Sequence, residues 1–384
     1  MGPNDFVGTA RANVVRQPTG YWAFLPPPLP PSINLRESLV ALLSEADRAI
    51  GELAGAGRWL PNPHLLIQPF LRREAVLSSR IEGTEATVAD LVLFEAAPEE
   101  GGGTPDVVEV ANYVRALELA LRPDRGLPLS LRLIRDLHRE LMTGVRGEHM
   151  TPGRFRTSQN WIGPPGCLLT EATFVPPPPD EMRAALDLFE KYLHGPADSP
   201  PLLRLGMIHY QFEAIHPFLD GNGRIGRLLV SLLLHEWELL PQPLLYLSAF
   251  FERRRSEYYD RLLGVSREDA WESWLAYFLE GVAEQAVDAI DRARRLFELR
   301  ERYRIALHAT RASALPLKLV DRLFERPAIT ISGAADVLDV TRRAAALIVE
   351  KLGSAEILSE VTGRARNRIF VAREILDLLG EPPS

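Results

Sequence analysis

Apolar residues recur at steps of three and four along most of the chain, so the sequence predicts a protein built mainly of helices. Leu39, Leu42, Leu43, Ala46 and Ile50 form one such stripe within 34–56, which Gly55-Ala56-Gly57 is expected to end. Residues 64–82 predict a second helix, stopped by Gly83. Shorter helices follow at 87–96, 107–121 and 129–142, the first two separated by an acidic, glycine-rich turn at 98–103. The pattern then changes period. From Gly153 to Gly166, and again at Thr173-Phe174-Val175, polar and apolar positions alternate, which predicts a β-hairpin flap over 152–176. Helical spacing returns at 180–194 and 201–215. A short polar loop leads into a dense apolar run, 228–240, and further helices are expected at 256–263 and 270–310. In the last of these Trp271, Trp274, Leu275 and Phe278 read as a core stripe, and the charge-dense stretch 292–304 as a solvated face.

The two ends of the chain differ from this middle. Residues 1–33 lack a helical period. Their aromatic cluster at 21–25 and the polyproline stretch at 26–31 predict a strap lying on the body. From about residue 312, helices at 317–324, 332–338 and 342–352, the last capped by Thr341, precede two strand-like runs at 357–360 and 368–371. Helix–turn–helix followed by a hairpin is a winged-helix pattern.

Composition narrows the class. The chain has 384 residues, 46% hydrophobic and 25% charged, which fits a globular protein of two to three domains. A net charge of −7 argues against nonspecific nucleic-acid binding by the chain as a whole. The one cysteine, Cys167, cannot form an internal disulfide and fits a reducing cytoplasm. Residues 1–17 have no apolar core of the signal-peptide kind and no run reaches eighteen apolar residues, so a cytoplasmic protein without a membrane span is expected.

The candidate chemistry is concentrated in His216-Pro217-Phe218-Leu219-Asp220-Gly221-Asn222-Gly223-Arg224-Ile225-Gly226-Arg227. Its glycines match the G-x-G-x-x-G dinucleotide fingerprint. That fingerprint requires a preceding strand, and here Leu205, Ile208, Phe212 and Ile215 predict a helix instead. The local physics still points to an anion. Glycines let backbone N–H groups turn inward, and the loop runs into a helix N-terminus. Arg224 and Arg227 rise from the first turn of that helix, and arginine's fork suits phosphate oxygens. Asp220 is a candidate ligand for a divalent cation, and His216 a candidate general base. Together these groups describe attack by a hydroxyl on a phosphate ester. His209, one helix earlier, reads as a satisfied core histidine.

These twelve residues resemble the signature of the Fic domain family, H-P-F-x-D/E-G-N-G-R-x-x-R, at every fixed position. The resemblance extends to the flap, to residues 246–274, which are similar to the helices closing the nucleotide site, and to Ser78-Ser79-Arg80-Ile81-Glu82-Gly83, which resembles the inhibitory motif [S/T]-x-x-x-E-[G/N]. It implies a mainly α, Fic-type helical bundle with a β-hairpin flap and a C-terminal winged-helix domain. The implied division is 1–125 for the arm and inhibitory region, 126–311 for the catalytic core and 312–384 for the winged helix.

The activity implied is transfer of AMP from ATP to a hydroxyl side chain of a target protein docked on the flap 152–176, or to the chain itself. In that reading His216 takes the target's proton and Asp220 holds Mg²⁺. Gly221, Asn222, Gly223, Arg224, Ile225, Gly226 and Arg227 surround the phosphates, and Phe218 anchors the loop in the core. Glu82 would pair with Arg227 and exclude the γ-phosphate, with Ser78 steadying the inhibitory helix and Gly83 ending it. Glycine at 223 separates the chain from relatives with lysine there, which phosphorylate their targets. One departure concerns the base pocket. Arg254 stands where many relatives have asparagine, before Tyr258 and Tyr259, which leaves UTP or GTP open as donors. Removal of AMP, with Glu82 positioning water, is an alternative that the sequence does not separate from inhibition. A homodimer is compatible with the pattern. DNA is the less favoured partner of the tail: Arg342, Arg343, Arg364, Arg366 and Arg368 suit phosphates, but Ala344-Ala345-Ala346 offers little base-reading chemistry.

Overall fold

The computed structural model describes residues 1–59, 64–98, 103–145, 150–196, 199–309, 314–364 and 366–380. Contacts divide the chain into two units, one of Met1–Gly51, Arg115–Leu239 and Phe250–Glu284, the other of Glu52–Val114, Leu240–Ala249 and Gln285–Ser384. The elements in chain order are β1 (Val14–Arg16), β2 (Trp22–Phe24), α1 (Glu37–Trp59), α2 (His64–Ile81), α3 (Val88–Ala96), α4 (Pro105–Leu121), α5 (Leu131–Met142), α6 (Pro179–His194), α7 (Pro201–Ile215), α8 (Asn222–Glu236), α9 (Ser248–Arg253), α10 (Arg255–Glu268) and α11 (Trp271–Ala309). The C-terminal elements are α12 (Ala314–Glu325), β3 (Ala328–Thr330), α13 (Ile331–Leu338), α14 (Arg342–Ser354), β4 (Ser359–Glu360), β5 (Ile369–Val371) and α15 (Arg373–Gly380). The protein is mainly α, as the periodicity predicts.

The first unit is centred on α7 and α8. Apolar residues occupy every side of α7, so it has no solvent face: among residues 202–215 all but Glu213 are buried. Its polar members have partners. Arg204 donates to the Leu193 and Gly195 carbonyls, both at 3.2 Å, and so closes the C-terminus of α6. The expected stripe of α11 is core, with Trp271, Trp274, Leu275 and Phe278 all buried. The strap also packs as expected, with a detail the sequence hid. β1 and β2 pair as a small antiparallel hairpin, Val14 opposite Phe24. Buried Phe24 donates its N–H to the Val175 carbonyl at 2.9 Å, where the flap ends. The flap stands in its expected place, held by one β-bridge, Ile162 to Phe174, with N–H···O distances of 2.8 and 3.0 Å. The rest of it is irregular, because Arg156 and Asn160 turn inward and the prolines at 164, 165 and 176–179 carry no N–H.

The second unit holds α2, α3 and the winged helix. Gly83 takes the left-handed conformation (φ +96°) just past α2 and stops it. Buried Arg72 pairs with Glu95 at 2.7 Å, and buried Glu74 accepts from the Ser248 hydroxyl at 2.6 Å and from Tyr113 at 3.2 Å. α12 and α15 pack against α2. In the winged helix β5 lies between β3 and β4, both antiparallel to it, and Thr341 caps α14 by accepting the Ala344 N–H at 3.3 Å.

Three expectations need correction. α1 does not stop at 55–57 but runs to Trp59: Gly57 is buried, with its missing Cβ position 3.6 Å from Leu244, and glycine's weak helix propensity does not end the helix there. The stretch 292–304 is not a solvated face throughout. Arg292 is buried against Asp288, and Leu296, Leu299 and Tyr303 form an apolar stripe that charge density masked. β3 and α15 were not expected, β3 being too short to display a period. Most of the acidic turn at 98–103, and the boundary at 311–312, lie outside the described residues. Among the described residues no helix is long and apolar enough to cross a membrane.

Candidate active site

α7 ends where His216 turns left-handed (φ 48°, ψ 61°), its N–H still bonded to the Phe212 carbonyl at 3.0 Å. Pro217 follows and cannot continue the helix hydrogen bonding. The chain then runs through Phe218, which is fully buried, to Gly221, whose φ of +79° makes it the N-cap of α8. A side chain at Gly221 would be strained by that φ and would meet the Met142 sulfur at 3.1 Å. Asn222 closes the loop on itself: its Oδ1 accepts the Phe218 N–H at 2.8 Å, and its Nδ2 donates to the Phe218 carbonyl at 2.9 Å. The asparagine side chain is therefore a clasp, and what the start of α8 offers a ligand is backbone. No side chain caps α8, and its first bond runs from the Ile225 N–H to the Gly221 carbonyl. The N–H groups of Asn222, Gly223 and Arg224 come before that first bond and so point out of the helix.

Alternate carbonyls of the loop are gripped from outside. Arg156 Nε donates to the His216 carbonyl at 2.9 Å, Asn160 Nδ2 to the Phe218 carbonyl at 2.8 Å, and His138 faces the Asp220 carbonyl at 3.0 Å. The Arg156 N–H also reaches the Pro217 carbonyl at 2.9 Å. Arg156 is buried with its guanidinium donating to backbone carbonyls, and burial lowers its pKa to about 10, so it remains a cation solvated by carbonyls. None of these three holdfasts stood out in the sequence. No local signal would have found them, since α5 and the flap carry polar residues on either side of 138, 156 and 160.

The reactive groups are set by this scaffold. His216 Nδ1 lies 3.2 Å from the Glu213 carbonyl, which can only accept. In the neutral ring the proton therefore sits on Nδ1 and the lone pair on Nε2, the tautomer a general base requires. The Asp220 carboxylate is half exposed and accepts the Gly221 N–H at 2.6 Å. Arg224 and Arg227 are each 3% exposed, and Arg224 lies 3.6 Å from Asp220. His209 is the satisfied core histidine expected: Nδ1 donates to the Gly226 carbonyl at 3.2 Å and Nε2 accepts from Tyr258 at 2.8 Å. Burial, aided by the charge of Arg227, lowers its pKa to about 3.

The other predicted residues fall as follows. Ile225 is buried in the first turn of α8, and Gly226 supplies the carbonyl that His209 holds. Arg254 is committed to α11, paired with Glu280 at 2.6 Å and Glu284 at 3.5 Å, with its guanidinium 4.4 Å from the centre of the Phe250 ring. Tyr258 is core, 1% exposed and stacked on Phe251 at 4.4 Å, whereas Tyr259 is 40% exposed. Ser78 is buried on α2 and Glu82 is exposed just beyond it, both in the second unit. Among the described residues no group of three His, Cys, Asp or Glu could hold a metal. Asp220 alone suits Mg²⁺ shared with phosphate oxygens and water.

A helical bundle carrying an uncapped helix start, two buried arginines and a poised histidine defines a class of phosphate-handling protein. Residues 128–234 match the Fic/DOC family, residues 40–122 its N-terminal region and residues 315–370 an HTH DNA binding domain. The chain therefore carries a Fic/DOC domain with the family's N-terminal region before it. Two curated relatives are each named protein adenylyltransferase Fic. The one from Drosophila virilis is 34% identical and that from Drosophila willistoni 33% identical, both over 134 residues that make up 33% of this chain. The match spans about a quarter (25%) of each relative's length. The crystal structure of a Fic family protein from Desulfovibrio desulfuricans G20 superposes with a TM-score of 0.57 at 19% identity, covering 90% of this chain and 98% of that one, a likeness that bears on the fold.

Proposed function

We propose that this chain is a protein adenylyltransferase. The observation that carries the reading is the 3.2 Å contact of His216 Nδ1 with the Glu213 carbonyl, which favours the Nδ1–H tautomer with Nε2 as the base. A target hydroxyl loses its proton to Nε2 as its oxygen bonds the α-phosphorus of ATP. The bond to the bridging oxygen breaks, and pyrophosphate leaves with the electron pair. The N–H groups opening α8, with Arg224 and Arg227, bind the phosphates. Asp220 would hold Mg²⁺ against them, and the metal supplies charge neutralisation. ATP as donor follows from the names of the relatives. The commitment of Arg254 to Glu280 removes one expected base contact and leaves the donor's base to be tested. The flap offers an extended target segment a place for strand addition. We keep 1–125, 126–311 and 312–384 as functional segments, and the single cysteine fits a reducing compartment.

The finer reading is autoinhibition. From its motif, Glu82 competes with the γ-phosphate for Arg227. The test is intact mass after incubation with ATP, GTP or UTP and Mg²⁺, for wild type, Glu82→Gly and Glu82→Gly/His216→Ala. Gain of one AMP unit, larger in Glu82→Gly and lost in the double variant, is the expected result. Equal labelling of wild type and Glu82→Gly ends the inhibitory reading, and labelling without His216 ends the base assignment. A second reading, nucleic-acid binding by the winged helix, is supported by the exposure of Arg342, Arg343, Arg364, Arg366 and Arg368. A gel-shift with the full chain at graded salt tests it.

A further inference from the structure

His138 is fully buried on α5 and meets three parts of the site with one ring. Its Nδ1 accepts the N–H of Gly153, at the root of the flap, at 2.9 Å. Only a bare ring nitrogen can accept, so in the neutral ring the proton resides on Nε2. Nε2 stands 3.0 Å from the Asp220 carbonyl, which can only accept. The two bonds thus make opposite demands, one acceptor and one donor, and a single tautomer meets both. The ring face lies on Phe218, with centroids 3.7 Å apart and planes within 2°. α5 holds the flap root a second time, through Arg135 Nε and the Gly153 carbonyl at 2.9 Å. It also floors the loop, since the Cβ position at Gly221 lies 3.4 Å from His138 Nε2.

We infer that His138 is a positioning residue that ties the flap root to the phosphate-facing loop, its Nε2–H tautomer holding the Gly153 amide and the Asp220 carbonyl at once. The inference rests on the adenylyltransferase reading, because its consequence is that the segment docked on the flap and the phosphates at α8 are held in register. His138 differs from the core residue His209 in that both of its partners are backbone groups, one at the flap root and one in the phosphate-facing loop.

Two substitutions separate the bonds. His138→Asn places an amide oxygen where Nδ1 stood, keeping the Gly153 bond and losing the Asp220 bond. His138→Gln places an amide N–H where Nε2–H stood and does the reverse. The probes are ATP with Mg²⁺, by calorimetric titration of the full chain, and amide hydrogen exchange in peptides covering 151–162 and 216–223. For His138→Asn we expect about tenfold weaker ATP binding and about tenfold faster exchange in the loop peptide, with the flap peptide unchanged. For His138→Gln we expect ATP affinity within about twofold of wild type and faster exchange in the flap peptide only. Equal changes of both peptides in both variants, or no change in either, overturn the inference. Should both variants fail to fold, ¹⁵N-histidine spectra of the wild-type chain decide it. A pyrrole-type Nε2 and a bare Nδ1 support the tie, and the opposite pattern overturns it. Absence of AMP transfer from wild type and Glu82→Gly would count against the function, while the exchange and ¹⁵N results would still judge the tie.

Discussion

Two helices of this protein begin with a pair of arginines, and their surroundings could hardly differ more. At α14, Thr341 caps the helix with its side chain, and Arg342 and Arg343 are exposed. At α8, the cap is a left-handed glycine with no side chain to offer, and Arg224 and Arg227 are each 3% exposed. A capped start has already satisfied one of its free N–H groups, and exposed arginines are hydrated at little cost. An uncapped start with buried arginines favours an anion, as the Asp220 carboxylate 3.6 Å from Arg224 illustrates. The sequence pattern of two arginines at a helix start therefore carries no function by itself. Burial and the missing cap are what mark α8 as the candidate site.

The comparison can be broken by experiment. The largest effect should come from the arginines. Arg224→Ala is expected to lower AMP transfer about a hundredfold or more, measured in the Glu82→Gly background. The double change Arg342→Ala/Arg343→Ala should leave transfer unchanged. If the tail binds DNA, the double change should also flatten the salt dependence of that binding by about two units. Equal loss of transfer at both helix starts would abolish the distinction.

Next in size is the acid response of a histidine on the α8 side. His209 holds the Gly226 carbonyl with a pKa near 3, below the unfolded value of about 6.5. The unfolded chain therefore takes up this proton first as pH drops. The stabilisation is fully present above about pH 6.5 and drains away towards pH 3. His209→Gln should flatten the fall in Tm across that window, and an unaltered profile would remove His209 as its source.

The caps give the smaller effects. Gly221→Ala forces a Cβ into a left-handed position near Met142 and should cost about 1–3 kcal/mol in chemical denaturation. Thr341→Ala removes one capping bond and should cost about 1 kcal/mol. Reversal of that order would mean that α8 starts under less constraint than its geometry indicates.

Much of the fold was legible because local period and core face coincide. Helices α2, α6 and α7 follow their apolar spacing to within a residue or two. The loop from His216 to Arg227 was legible for a different reason: its reactive groups are contiguous, so no tertiary knowledge was needed to assemble them. Its supports were not. His138 lies 82 positions from the carbonyl it holds, and Arg156 and Asn160 lie 60 and 58 positions from theirs. Nothing local in the sequence distinguishes a polar residue that grips a distant peptide group from one that faces water. The ion pairs of Arg254 were not legible for the same reason, since Glu280 and Glu284 belong to another helix.

The grip on alternate carbonyls has a consequence for how such a loop can change over generations. Arg156, Asn160 and His138 hydrogen-bond the loop at peptide oxygens, which every amino acid supplies. The path of the loop is thereby insulated from the identity of what it displays. A lineage could exchange His216 or Asp220 and retain a folded, ligand-accepting descendant, so new chemistry could be tried on an old frame without first losing it.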